Sequence, residues 1–194
     1  MTGNLVLLGI AIGQGQLAGA VRSVIALAGF VLGVTIGVRL TATTQGPTAW
    51  PLSVTRALLV ELGLLAAFVV GWQFAGDHPA APALDVLVAL SAGAMGMQAA
   101  AARRLHVTGV TTVFVTGMLT SLIADLATVG PGRSQWRLWA VSLTALVIGA
   151  AVGAGLFTAW RPGAPGIALV LVGAVITAAI WRRDNRRASA ETAV

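Results

Sequence analysis

The stretch RSVIALAGFVLGVTIGVRL, residues 22–40, decides the fold class of this chain. No charged residue lies between Arg22 and Arg39, so the apolar run is long enough to cross a hydrocarbon core about 30 Å thick. An open chain can satisfy its backbone polar groups in lipid only as a helix. Glycines recur at every fourth position, on one helix face where another backbone can approach: Gly29, Gly33 and Gly37. The stretch therefore predicts a tightly packed transmembrane helix.

Further apolar runs of comparable length follow at 53–75, 84–102, 138–160 and 164–181. Of the 194 residues, 57% are hydrophobic and only 9% are charged, whereas about 25% of an average soluble domain is charged. We therefore predict an all-α polytopic membrane helix bundle with five full spans. Residues 1–181 form a single transmembrane domain in the lipid bilayer, and residues 182–194 form a cytoplasmic basic tail.

The arginines predict the orientation of the bundle, because basic residues near span ends are retained on the cytoplasmic side. If residues 107–129 enter from the cytoplasm and return, ten arginines lie inside and only Arg22 and Arg161 lie outside. If that segment and the short N-terminal apolar segment both span, the split is seven to five. We therefore expect 107–129 to be a re-entrant or broken Thr/Gly-rich segment, with irregular backbone near Gly117.

Landmarks recur at offsets of 114 to 116 residues. The matching pairs are Thr2-Gly3 with Thr116-Gly117, Arg22 with Arg137, and Gly33 and Gly37 with Gly149 and Gly153. Since Arg22 is expected outside and Arg137 inside, these landmarks predict inverted repeats, as in many transporters. Copy one covers 1–75 and copy two covers 84–181. The opening span of copy two has no counterpart, so we expect copy one to be truncated at its start.

Three segments carry a family resemblance: MTGNLVLLG, FVLGVTIG and GMQAAAARRLHVTGVTTVFVTGMLTSLIADL. Together they resemble the YoaK-like family of uncharacterised bacterial membrane proteins, domain of unknown function 1275. The resemblance leads us to expect asparagine where Ala99 stands, and to expect that the family's first helix is absent from this sequence. The resemblance implies about six spans in the bacterial inner (plasma) membrane and no established substrate.

Several polar residues within the apolar segments are candidates for a substrate path. Threonines at successive i+4 positions make a stripe of hydroxyls: Thr108, Thr112, Thr116 and Thr120. Each could line a path, bond to its own i−4 carbonyl, or pack against another helix. The amides of Asn4 and Gln98 could replace a solute's hydration or connect helices. We predict that Asn4, Glu61, Gln98 and Thr116 surround one central site.

Glu61 and Asp125 are carboxylates at bilayer depth, which costs at least about 2.5 kcal/mol and is by default functional or paired. For Glu61 the expected ion-pair partners are Arg103 and Arg104. Gly29, Gly33, Gly37, Gly149 and Gly153 are assigned to helix packing.

The favoured function is a transporter or channel-like protein for a small polar solute or ion. The alternative is a non-transporting membrane protein that binds lipid or scaffolds a partner, and the chain could also assemble with copies of itself. The spacing of carboxylates and histidines supports neither an enzyme nor a metal site, and no cofactor is expected. Absence of cysteine excludes a disulfide framework, and the dispersed arginines argue against nucleic-acid binding.

Overall fold

The computed structural model describes residues 1–42, 50–76, 79–105, 115–127 and 136–191. These ranges contain helices and no strand: α1 Thr2–Gly13, α2 Leu17–Ala42, α3 Leu52–Ala75, α4 Ala81–Arg104, α5 Val115–Ala127, α6 Trp136–Ala159 and α7 Gly166–Glu191. The prediction of an all-α membrane helix bundle is confirmed.

Four of these helices, α2, α3, α4 and α6, are long and apolar enough to cross a membrane. The fifth predicted span, 164–181, corresponds to the first part of α7, which is apolar only over Gly166–Arg182. The helix then continues through charged residues to Glu191. Much of the predicted basic tail is therefore helical.

Helices α2 and α4 run parallel and pack backbone against backbone. A Cβ added to Gly29 would lie 2.8 Å from the carbonyl oxygen of Ala89, and one added to Gly33 would collide with the carbonyl of Gly93. A Cβ on Gly37 would lie 2.6 Å from the Cβ of Ala100. Glycines later in α2 therefore contact residues later in α4, which is the order that parallel helices require.

Helix α3 runs antiparallel to α4, and α7 runs antiparallel to α3. The buried core lies between these three helices and consists of Val54, Ala57, Leu58, Met97, Ala101, Val172 and Ile176. At the other end of α3, the Gln73 side-chain amide donates to the carbonyl of Pro162 at 2.8 Å. The indole of Trp72 donates to the carbonyl of Arg161 at 3.4 Å.

Two helices are shorter than a membrane span over the residues that the structure describes. Helix α1 has 12 residues and α5 has 13, which correspond to lengths of about 18 and 20 Å. Helix α1 folds back on α2 through a turn in which Gly15 has a φ of 66°, a left-handed value that favours glycine. Helix α5 packs along α6.

Gly117 itself is helical, because it is the third residue of α5, which the structure describes from Val115 onwards. Irregular backbone before Val115 stays a prediction. The rest of the segment predicted to be re-entrant, residues 107–114 and 128–129, lies outside the described residues.

Candidate functional site

The side chain of Glu61 is buried in the middle of a transmembrane helix. Only 2% of the residue is exposed, and it lies about 4 Å along the axis from the midpoint of α3, at 1.5 Å per residue. Leu58, one turn earlier, belongs to the buried core with Met97. Leu64, one turn later, lies 3.7 Å from the position of an added Cβ on Gly93. Glu61 therefore faces the stretch of α4 between Gly93 and Met97.

The Oε2 atom of Glu61 has no hydrogen-bond partner in the described part of the chain. The expected partners lie elsewhere: Arg103 is exposed, and the Arg104 Nε donates to the carbonyl of Thr41 at 3.3 Å. Within the described ranges, the ion pair that forms joins Arg22 to Asp85 at 3.3 Å. The predicted pairing of Glu61 with Arg103 or Arg104 is therefore not found there, because both arginines lie at the end of α4.

Ser53 is a second buried polar residue on α3, and it is not among the site residues predicted from the sequence. It is 1% exposed, and its Oγ also lacks a described hydrogen-bond partner. Serine is common in transmembrane helices, so the sequence carried no signal for its burial. Ser53 lies in the first turn of α3, about two turns before Glu61.

Asn4 lines a cavity of about 290 Å³ between α1, α2, α3 and α4. The lining residues are mostly apolar: Met1, Asn4, Ala26, Phe68, Trp72, Leu84, Leu87, Val88, Ser91, Ala92 and Met95. Ala26 follows Arg22 by one turn, and Leu84 and Leu87 flank Asp85, so the cavity lies towards the Arg22–Asp85 end of the bundle. Glu61, Gln98 and Thr116 do not line it.

The other predicted site residues do not join Glu61 in the described part of the chain. Gln98 is exposed on α4, whereas its neighbour Met97 faces the core. Thr116 and Thr120 are exposed on α5, and the Thr120 hydroxyl donates to the Thr116 carbonyl at 2.8 Å. The Thr120 hydroxyl therefore makes the i−4 bond of the alternative interpretation, in which the threonines bond to their own helix instead of lining a substrate path.

Three predicted site side chains lie outside the part of the chain that the structure describes. Thr108 and Thr112 lie outside the described residues, as does the side chain of Asp125, whose backbone belongs to α5. The described residues contain no group of three or more histidine, cysteine, aspartate or glutamate side chains that could hold a metal ion. Among the predicted site residues that the structure describes, Glu61 is the one that is buried and lacks a described partner, so the candidate site is centred on Glu61.

The glycines assigned to packing occupy two different environments. Gly29, Gly33 and Gly37 contact α4 closely, but an added Cβ on Gly149 or Gly153 would meet no atom within 4 Å. No described residue of α6 is buried. The matched positions of the two predicted repeats therefore differ in their packing.

Comparison with known proteins finds one family match and a transmembrane relative. Residues 1–181 match the family described as "Protein of unknown function (DUF1275)". The chain is 35% identical over 127 residues to the UPF0700 transmembrane protein YoaK of Bacillus subtilis (strain 168). That match covers 66% of this chain and 54% of the relative, so it spans about half the relative's length. No solved structure shows a significant match.

Proposed function

This chain is a membrane protein of the DUF1275 family, and we propose that it moves a small polar solute or ion through its helix bundle. The burial of Glu61 carries the proposal. A carboxyl group near the middle of a spanning helix costs free energy, so a residue of this kind is by default either paired or functional. Because no described residue pairs with Glu61, the structural explanation loses its main support. Glu61 is then the residue that binds or responds to the moving species.

The order of helices supports the accompanying proposal of two inverted repeats. In both copies a short helix is followed by two long ones: α1, α2 and α3 have 12, 26 and 24 residues, and α5, α6 and α7 have 13, 24 and 26. In transporters built this way, substrate sites lie near the membrane midplane between the repeats. The depth of Glu61 agrees with such a site.

The proposed location is the bacterial inner membrane, with the end of α7 in the cytoplasm. Parallel α2 and α4 place Arg22 and Asp85 at one end of the bundle and Arg39 and Arg104 at the other. Retention of arginine-rich ends inside then assigns the Arg39 end to the cytoplasm.

A non-transporting role is the second candidate, because three observations favour it. Thr116 and Thr120 are exposed instead of lining a polar cavity, and the described cavity is mostly apolar. Helix α6 also leaves all its described residues unburied, as expected of a helix that contacts lipid or a partner such as another copy. In that case Glu61 would have no part in any flux.

Flux measurements on Glu61→Gln decide between the two functions. The purified protein is placed in lipid vesicles, and stopped-flow light scattering follows entry of glycerol, urea and neutral amino acids, while ion currents are recorded in planar bilayers. We expect Glu61→Gln to change flux of at least one species at unchanged folded yield, because the amide keeps the side-chain volume.

Asp85→Asn is the matched control, since it makes the same acid-to-amide change in a residue whose ion pair is partly exposed. It should leave flux per folded protein unchanged. If Glu61→Gln unfolds the protein and no wild-type flux is found for any species, Glu61 is structural and the second function stands.

A further inference from the structure

The carboxyl group of Glu61 lies among apolar groups. The preceding turn of α3 contributes Ala57 and Leu58 to the buried core, and α4 presents Gly93 and Met97. An isolated carboxylate in such surroundings is strongly destabilised, and such groups neutralise by taking up a cation. The cation can be a metal ion or a proton.

Among the side chains that the structure describes, no charged group of the helices packed against α3 faces Glu61. On its own helix, Arg56 is five positions away, exposed and on another face. On the helices packed against α3, the charged residues lie towards the helix ends or beyond the contact region: Arg22 and Arg39 on α2, Asp85, Arg103 and Arg104 on α4, and Arg182 onwards on α7. Neighbouring charges therefore do not compensate a carboxylate at this position.

The donor atoms around Glu61 are unsuited to a metal ion. Hard cations such as Ca²⁺ and Mg²⁺ take about six or more oxygen ligands. Met97 of α4, which packs in the core with Ala57 and Leu58 of the preceding turn, offers no oxygen, and backbone carbonyls within the helices already accept helix bonds. A proton needs no further ligand, because it forms a covalent O–H bond with the carboxylate oxygen.

From this geometry we infer that the ion bound at Glu61 is a proton. The role of this proton in transport rests on the proposed function. With it, the protein either couples solute transport to proton transport or transports protons alone. The proton comes from water at one end of the bundle, converts the carboxylate to a carboxylic acid, and leaves when the conformation exposes Glu61 to water. No other reactant is required.

Infrared spectroscopy of the full chain in dodecyl maltoside micelles, which contain no ester carbonyl group, tests the proton directly. At pH 7 the wild type should show a carbonyl stretching band of a protonated carboxylic acid, corresponding to one group per chain. That band should be absent from Glu61→Gln and retained in Asp85→Asn. If Glu61→Gln fails to fold, Glu61→Asp replaces it, and we expect this variant to shift the frequency of the carboxylic acid band. Transfer of the wild type to D₂O should also lower the frequency of that band.

Two results separate this inference from the proposed function. If the band is absent at pH 7, and carboxylate bands respond to NaCl, KCl or MgCl₂ while Glu61→Gln still alters flux, the ion is a metal cation and the proton is excluded. If the band is present but Glu61→Gln alters no flux, the proton site stands and the transport function is lost.

Discussion

The close contact between α2 and α4 predicts a large effect of a single methyl group. Gly33→Ala places a Cβ against the carbonyl of Gly93, which is backbone and cannot move aside as a side chain could. The helices must therefore separate, which also loosens the contact of Gly29 with Ala89. Overpacking costs about 1–3 kcal/mol, and a backbone obstacle argues for the upper end.

The net effect is smaller, because alanine is better than glycine in a helix by about 1 kcal/mol. The expected net loss is about 2 kcal/mol, which for a chain of this length lowers the Tm by about 4–8 °C. Thermal unfolding of the purified protein in mild detergent, followed by circular dichroism, measures the shift.

Gly149→Ala is the matched control, because it makes the same change at the corresponding position of copy two. An added Cβ there has no neighbour within 4 Å, so only the gain in helix propensity of up to about 1 kcal/mol remains. Its Tm should be unchanged or higher by about 2–4 °C. Equal Tm values for Gly33→Ala and the wild type would refute the reasoning, as would equal damage from both substitutions.

Three further predictions concern topology, the surface ion pair and the threonines. The chain has no cysteine, so His78→Cys should react with a membrane-impermeant maleimide from outside intact cells, whereas Val194→Cys should not; the reverse pattern contradicts the assigned orientation. Asp85→Asn should destabilise by no more than about 1 kcal/mol in thermal unfolding, because the ion pair with Arg22 is partly exposed; a loss of folding would show that this contact matters more. Thr120→Val should leave unfolding and vesicle flux unchanged, because the hydroxyl only bonds to the i−4 carbonyl; a lost flux would assign the threonine to the path.

The positions of helices could be read from the sequence, because long apolar runs in lipid have one way to satisfy their backbone. The predicted run 53–75 corresponds to α3, Leu52–Ala75, and 84–102 lies inside α4, Ala81–Arg104. The end of α7 could not be read in the same way. Beyond Arg182 most of its residues are charged or polar, so hydropathy no longer marks the helix, although arginine and alanine, which favour helices, recur as far as Glu191.

The candidate site was only partly predictable. The sequence singled out Glu61 from its depth, but it placed Gln98 and Thr116 beside it and assigned an arginine partner. Those relations depend on how each helix is rotated about its axis. In a soluble helix an apolar stripe reveals the buried face, whereas a membrane helix is apolar on the lipid side as well.

What the sequence alone determined is therefore the class of protein, its family and the approximate extent of its helices, since these follow from local composition and length. The tertiary structure alone decided that Gly33 contacts a backbone while Gly149 has no neighbour within 4 Å of an added Cβ. It also decided that Glu61 is buried with no described arginine paired to it. These outcomes depend on which helices meet and at what rotation. That arrangement is set by close packing between distant segments, which no single stretch of sequence specifies.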